Sequence, residues 1–350
     1  MDIYKFSLNC PLPIFDYKEI LLAHGGGGTL SRKLLKDIFY SQFGNPHLLE
    51  EMDSALININ SERIAFTTDS YVVNPIFFPG GSIGDLAING TVNDLAVCGA
   101  IPKYISVGFI LEEGLPLADL WEIVLSMKNA ADIAGVQIVT GDTKVVDRGK
   151  GDKIFINTSG IGEIVNGVEL SPVKCKPGDK IIINGRIAEH GIAIMASREG
   201  LEFESEIESD TAALNKLIDG VLKSSNQVRV MRDPTRGGVA STLNEIADKA
   251  SVGIKIYENK IPIREDVNSA CEILGLDPLY IANEGKAIII IAAEDAAKAL
   301  EEMRLNELGI YSAIIGEVTE DNSGMVIMET LIGTSRIVDM ISGEQLPRIC

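Results

Sequence analysis

The chain has 350 residues, of which 46% are hydrophobic and 23% are charged, and its net charge is −19. This acidity excludes a basic face for nucleic acid, and it means that an anionic ligand would need a metal ion and backbone dipoles to be bound. The length exceeds the usual size of a single core, so the sequence predicts two domains.

The start of the chain does not read as a secretory leader, because Asp2 and Lys5 interrupt it and no small-residue cleavage site follows. The longest strongly apolar run, 287–293, is too short to cross a bilayer. The five cysteines are widely spaced and include no CxxC pair, so neither a disulfide framework nor a zinc site is indicated. We therefore expect a cytoplasmic protein that binds neither membranes nor nucleic acid.

The first half of the chain alternates strand and helix patterns. Residues 1–40 form a mixed opening segment, and residues 41–163 are expected to form a first α/β domain. In chain order, we predict a strand at 64–68, a helix at 83–99, a strand at 103–111, a helix at 117–135 and strands at 136–140 and 154–160.

The second half predicts another α/β domain over residues 164–332, followed by a mobile tail over 333–350. The predicted strands are 180–184, 254–257, 287–292 and 313–318, and the predicted helices are 189–198, 211–224, 237–250 and 294–308.

A glycine loop lies near the start, in His24-Gly25-Gly26-Gly27-Gly28. Amides without side chains can wrap phosphate oxygens. The loop is not a Walker A loop, because no Gly-Lys-Ser/Thr follows, and a glycine-rich surface turn also explains it.

Three acids stand at predicted element ends or inside an apolar helix. Asp69 and Asp142 are predicted to follow strands, and Asp94 interrupts the helix at 83–99. Carboxylates that converge from three segments are what a hard cation bridging phosphates requires. A helix cap or a solvated turn explains any one of them alone. Lys144, beside Asp142, is either a phosphate contact or base, or a solvent-facing lysine.

The second half offers two further motifs. In Arg232-Asp233-Pro234-Thr235-Arg236-Gly237-Gly238, Thr235 could cap the next helix, and the two glycines leave its positive end open to an anion. Glu284 stands just before the apolar strand at 287–292 and is either a general base or part of a turn. His190 has no partner motif, and Cys98 and Cys271 are expected in the core.

The chain ends in Pro347-Arg348-Ile349-Cys350. A terminal thiol contributes little to a fold, but on a mobile arm it can carry a group between sites. The 18 residues from Gly333 to Cys350 could span about 50 Å when extended.

Taken in order, these motifs resemble the HypE family of hydrogenase maturation factors over essentially the whole chain. That family belongs to the superfamily of aminoimidazole ribonucleotide synthetase, selenophosphate synthetase and thiamine-monophosphate kinase. The resemblance implies a two-domain PurM-like fold of the α/β (α+β) class. Its N-terminal mixed sheet would form a barrel in a homodimer, and its second domain would be ferredoxin-like.

The resemblance also implies a chemistry. A carbamoyltransferase, HypF, would place a carboxamide on the sulfur of Cys350. The chain would then use ATP and Mg²⁺ to dehydrate this S-carboxamide to a thiocyanate. The cyanide would pass to iron on the HypC–HypD complex, for a nickel–iron hydrogenase.

Site roles follow from the same resemblance. Asp69, Asp94 and Asp142 would hold magnesium, and Cys350, Glu284 and Lys144 would be catalytic, with the choice of Glu284 or Lys144 as the base left open. The nucleotide would contact Gly25, Gly26, Gly27, Gly28, Asn93, Thr143, Asp233, Arg236, Gly237 and Gly238.

Three alternatives remain at this point. A small-molecule kinase or synthetase of the same superfamily would turn over free substrate without the tail. Selenophosphate synthesis is disfavoured, because Cys10 lacks the neighbouring lysine that this chemistry uses. A non-catalytic scaffold that presents a thiol would hydrolyse no ATP.

Overall fold

The structure is a computed structural model that describes residues 17–52, 54–200 and 207–340. Cys10 and Cys350, with the roles considered for them, lie outside the described residues. The described part is organised around a four-stranded and a seven-stranded sheet, together with one two-stranded ribbon.

The first domain is built on the four-stranded sheet, in the order β1-β6-β4-β5. β4 and β5 run parallel, and the other neighbours are antiparallel. Its elements are α1 (Thr29–Leu34), a π-helical turn (Leu35–Tyr40), α2 (Ser41–Phe43), α3 (Pro46–Leu49), β1 (Ile64–Tyr71), β2 (Phe77–Phe78), β3 (Gly81–Ser82), α4 (Ile83–Val97), β4 (Ala100–Glu112), α5 (Leu117–Ala134), β5 (Gln137–Val146) and β6 (Ile154–Ile164).

One face of this sheet is covered and the other is open. α4 begins at a capping box in which the Ser82 hydroxyl accepts from Gly84 N, and α5 ends at Gly135 with a φ of 76°. Their apolar residues pack on the alternating inward side chains of the strands. The outward side chains include Phe66, which is 68% exposed, as well as Ile110 and Asn157. We call this surface the open face.

The second domain is a mixed sheet in the order β13-β12-β9-β11-β7-β10-β8. Its central strands are buried on both sides, and every residue of Ile288–Ile291 is inaccessible, which fits a run of four isoleucines. Its elements are β7 (Lys180–Ile183), α6 (Glu189–Glu199), α7 (Asn215–Ser224), β8 (Val228–Arg232), α8 (Gly238–Ala250), β9 (Gly253–Tyr257), α9 (Glu265–Leu274), β10 (Ile288–Ile291), α10 (Ala293–Arg304), β11 (Ala313–Thr319), β12 (Val326–Glu329) and β13 (Ser335–Ile337).

The α/β class is confirmed, but several local predictions were wrong. β1 and β5 run on through Asp69 and Asp142, so both acids lie inside strands rather than after them. The helix predicted from residue 211 begins at Asn215, because the segment before it docks on the first domain. Cys98 is exposed, whereas Cys271 is buried as expected. The elements β8, α9, β12 and β13 were not predicted.

Among the residues that the structure describes, no helix is both long and apolar enough to cross a membrane.

Candidate active site

An open cleft of about 320 Å³ lies between the two domains. β1 and α4 supply its first wall, and the β8–α8 connection and the segment before β10 supply the second. Its charged side chains are Asp69, Asp94, Arg232, Asp233, Arg236, Glu245 and Glu284. The cleft therefore gathers acids and two arginines from both domains in one place.

The acids of the cleft repel one another. Burial, followed by the charge of Asp233, raises the pKa of Asp94 to about 6, although Thr67 Oγ1 donates to Asp94 Oδ2 at 2.7 Å. Asp69 accepts a hydrogen bond from the Tyr71 hydroxyl at 3.0 Å. A bound cation would relieve this repulsion, so the donor set fits a hard metal ion. In their present arrangement, the described residues nevertheless show no group of three or more acids, histidines or cysteines around one metal position.

The start of α8 supplies a site for negative charge. Gly237 adopts a φ of 69°, and no side chain caps the helix. The prediction that Thr235 caps it was wrong, because the Thr235 hydroxyl donates to Asp233 instead. A Cβ on Gly238 would stand 2.5 Å from the carbonyl oxygen of Leu279, so this approach requires glycine. Thr235 and Arg236, which directly precede this uncapped positive end, line the cleft.

Glu284 is the most perturbed acid of the cleft. Burial, followed by the charges of Asp210, Asp233 and Asp69, holds its pKa well above the usual range. Its Oε1 is buried and has no hydrogen-bond partner among the described residues. A raised pKa makes the ionised carboxylate a stronger base than an ordinary glutamate, as proton abstraction requires.

The backbone of Glu284 is fixed by a buried ion pair that the sequence did not reveal. Asp210 accepts from Lys286 Nζ at 2.7 Å and from the backbone amides of Glu284 and Gly285 at 3.2 and 3.3 Å. Burial alone would raise the pKa of Asp210, but Lys286 and His190 outweigh it, and the net pKa is lowered. The partners lie 76 positions apart, so no local motif could have indicated the pair.

Asn93 lies beneath the cleft and does not line it. Its Nδ2 donates to Ala212 O at 2.9 Å and to Glu284 O at 3.1 Å, and its Oδ1 accepts from Leu214 N at 2.8 Å. This side chain was predicted to contact a nucleotide, but its hydrogen bonds join the two domains. Asn93 therefore positions Glu284.

The remaining predicted residues form a separate group on β5, which we call the β5 group: the loop Gly25 to Gly28 with Asp142, Thr143 and Lys144. The loop packs on the strand, since a Cβ on Gly25 would stand 2.8 Å from Val145 N. Lys144 Nζ lies 3.4 Å from Asp142 Oδ2, with side chains 67% and 70% exposed. Asp142 and Thr143 also line a second cavity of about 100 Å³ with Phe39 and Phe109.

The β5 group does not meet the cleft within one chain. In the register of the sheet, Asp69 of β1 pairs with Thr158 of β6, and Thr158 pairs with Val107 of β4. Val107 in turn pairs with Gly141 of β5. β1 and β5 are opposite edges of the sheet, so Asp69 and Asp142 stand three strand spacings apart, roughly 14 Å. The convergence of Asp69, Asp94 and Asp142 and the pairing of Lys144 with Glu284 are therefore not formed inside a single chain.

Comparison with known proteins shows which family has this architecture. Residues 51–164 match the N-terminal domain of AIR synthase related proteins, and residues 176–329 match their C-terminal domain. The chain is 51% identical over 332 residues to "Carbamoyl dehydratase HypE" of Azotobacter vinelandii, covering 95% of this chain and 97% of that protein.

Two solved structures extend the likeness to three dimensions. A HypE described as being in complex with ATP has a TM-score of 0.91 at 48% identity, covering 94% of this chain and 99% of that chain. A HypE–HypF complex has a TM-score of 0.78 at 48% identity, covering 90% of this chain and 100% of that chain. The chain therefore belongs to the HypE family, within the AIR synthase related proteins.

Proposed function

We propose that this chain is an ATP-dependent carbamoyl dehydratase that converts an S-carboxamide on its own Cys350 to a thiocyanate, supplying cyanide for nickel–iron hydrogenase maturation. The observation that carries the proposal is Glu284, a buried carboxyl group of raised pKa that opens on a cleft with anion-binding groups. Relatives at about half identity that are named carbamoyl dehydratases support it.

The residues of the cleft have distinct tasks in this reaction. When bound, Mg-ATP supplies the phosphoryl group that turns the amide oxygen into a leaving group. Arg236, Asp233 and the start of α8, at Gly237 and Gly238, would orient the phosphates. Asp69 and Asp94 would hold the cation, because their mutual repulsion is relieved by a positive charge. The residues of the cleft would thus position the phosphates and the cation and exclude water.

Glu284 would handle the protons. Conversion of a carboxamide to a nitrile removes two protons from nitrogen while the oxygen leaves, so a base must lie beside that nitrogen. Glu284 is buried in the cleft, whereas Lys144 of the same chain is exposed on β5. We therefore assign the base to Glu284.

We further propose a twofold dimer built through the first sheet. β1 and β5 are its free edges, and the open face exposes large apolar side chains such as Phe66 and Ile110. Closing two such sheets into one barrel sets β1 beside the partner's β5. The β5 group of one chain would then lie at the rim of the other chain's cleft, including the partner's Asp142 as the third magnesium ligand.

Three further assignments complete the proposal. HypF is the partner that loads Cys350, in line with the HypE–HypF complex described for a relative. The HypC–HypD complex is the acceptor of the cyanide. The cytoplasm is the compartment, and the exposed free thiol of Cys98 is compatible with its reducing conditions.

The test is mass spectrometry of the C-terminal peptide after incubation with the carbamoyltransferase, carbamoyl phosphate and Mg-ATP. We expect a carbamoyl adduct on Cys350 that then loses one water. Cys350→Ser should abolish both changes while ATP still binds. Cys98→Ser, which alters an exposed thiol, should leave them intact. An unmodified Cys350 beside a demonstrably active transferase would contradict the proposal and favour a small-molecule kinase.

A further inference from the structure

A buried histidine lies against the base. α6 starts just after Ala188, whose φ is 73°, and this start brings His190 fully inside the protein. His190 Nε2 stands 4.0 Å from Glu284 Oε1, the buried oxygen that lacks a hydrogen-bond partner among the described residues. The two groups face each other at about 1 Å more than a hydrogen-bond length.

The imidazole is held from both domains. Its Nδ1 lies 2.8 Å from Ser209 Oγ, and Ser209 N donates to Pro79 O at 2.7 Å. The edge of the Phe78 ring packs on the imidazole at 5.7 Å between centroids. Ser209 Oγ also accepts from Thr211 N at 3.2 Å, so its own proton is available to Nδ1. When the Ser209 hydroxyl donates to Nδ1, the imidazole hydrogen lies on Nε2, toward Glu284.

Within the described residues, charged groups from several elements surround this pair. Asp210 is compensated by Lys286, which also lies 3.7 Å from Glu189. The cleft side carries acids and two arginines. Among the described residues, the titratable groups that face Glu284 are Asp69 and Tyr71 from β1, Asp210 before α7, Asp233 and Arg236 between β8 and α8, and His190 from α6. Among these, His190 is placed to hold Oε1.

We propose that His190 is a positioning residue for Glu284: its Nε2–H donates to Oε1 when the cleft is occupied, and this contact directs Oε2 at the substrate nitrogen. Catalytic hydrogen bonds are often long without ligand and tighten in the complex. Without this contact, the carboxyl group would rotate, and a small misplacement of a base costs rate rather than binding. The inference rests on the proposed function and on its assignment of Glu284 as the base.

Two amide variants distinguish the role of Nε2 from that of Nδ1. His190→Gln places an amide nitrogen near the position of Nε2, and His190→Asn reaches only the position of Nδ1 at Ser209. We expect His190→Asn to lower kcat for dehydration by about 10- to 100-fold at an unchanged KM for ATP, and His190→Gln to stay within about threefold of the wild type. Thermal unfolding and ATP binding identify any variant that is simply misfolded.

A kcat for His190→Asn equal to that of the wild type, or equal losses in both variants, would overturn the proposal. A spectroscopic measurement decides the matter even if the wild type proves not to dehydrate Cys350. The infrared carboxyl band of Glu284, identified by its loss in Glu284→Gln, should shift on adding ATP in the wild type and in His190→Gln but not in His190→Asn. The same ATP-induced shift in all three proteins would also overturn it.

Discussion

The interdomain cleft and the β5 group both carry acidic side chains, but those of the cleft are more buried and those of the β5 group are exposed. In the cleft, Asp94 is largely buried, and burial followed by Asp233 raises its pKa to about 6. On β5, the side chain of Asp142 is 70% exposed and has Lys144 as its neighbour. Residue type predicted one role for both acids, but the environments differ.

On our proposal, the difference means that this chain holds two incomplete halves of a site. The cleft has the coupled acids, the uncapped helix and the proposed base, Glu284. The β5 group has the glycine loop and an exposed acid–lysine pair on the far edge of the sheet. Because the free edges of two copies can meet, assembly is the simplest way to join the halves.

Among the tests of this comparison, we expect the largest effect on activity from a substitution on the open face, far from the cleft. Phe66→Arg places a charge on the surface proposed to be covered in the dimer. We expect a folded monomer whose dehydratase activity falls by about 100-fold or more, measured by sedimentation together with the loss of water from carbamoylated Cys350.

Ile133→Arg is the matched control for Phe66→Arg. Ile133 is 54% exposed on α5, outside the open face, so this variant should remain dimeric and active. A monomeric Phe66→Arg with full activity would show that one chain suffices.

A smaller effect is expected on stability, from Asp94→Asn. The pKa of Asp94 is about 6 in the folded chain and near 3.8 when unfolded, so folding favours the protonated form. Its ionisation therefore costs stability increasingly as pH rises from about 4 to about 6, and the cost is constant above that range. We expect Asp94→Asn to raise the free energy of unfolding by about 1–3 kcal/mol at pH 8, and by little at pH 4, measured in urea.

Asp132→Asn serves as the control for Asp94→Asn, because Asp132 is exposed on α5 beside Lys128. Its effect on stability should stay within about 0.5 kcal/mol at either pH. Equal gains in the two variants at pH 8 would mean that general surface charge, rather than the cleft, is responsible.

Much of the fold could be read from the sequence. The helix at Leu117–Ala134 shows an apolar stripe that stops at Gly135, and the strand at Ile288–Ile291 is a run of four isoleucines. The glycines before α8 marked a helix start open to anions. These features are local, so propensity and periodicity are sufficient to predict them.

The site could be predicted only in part, since its contacts are distant in sequence. Glu284 depends on Asp210, and Asn93 reaches residues more than 100 positions away. His190 had no motif, because its partners lie on other elements. The separation of Asp69 from Asp142 follows from the strand order, which periodicity does not encode.

The most direct test of the split site uses dimers of defined composition, purified through two different affinity tags. A dimer of one Asp94→Asn chain and one Asp142→Asn chain retains one intact site if β5 acts in trans. We predict about half of wild-type dehydration for this dimer, and none when both substitutions share one chain paired with a wild-type partner. The reverse result, an inactive mixed dimer and a half-active doubly substituted one, would contradict the account and place the whole site within one chain.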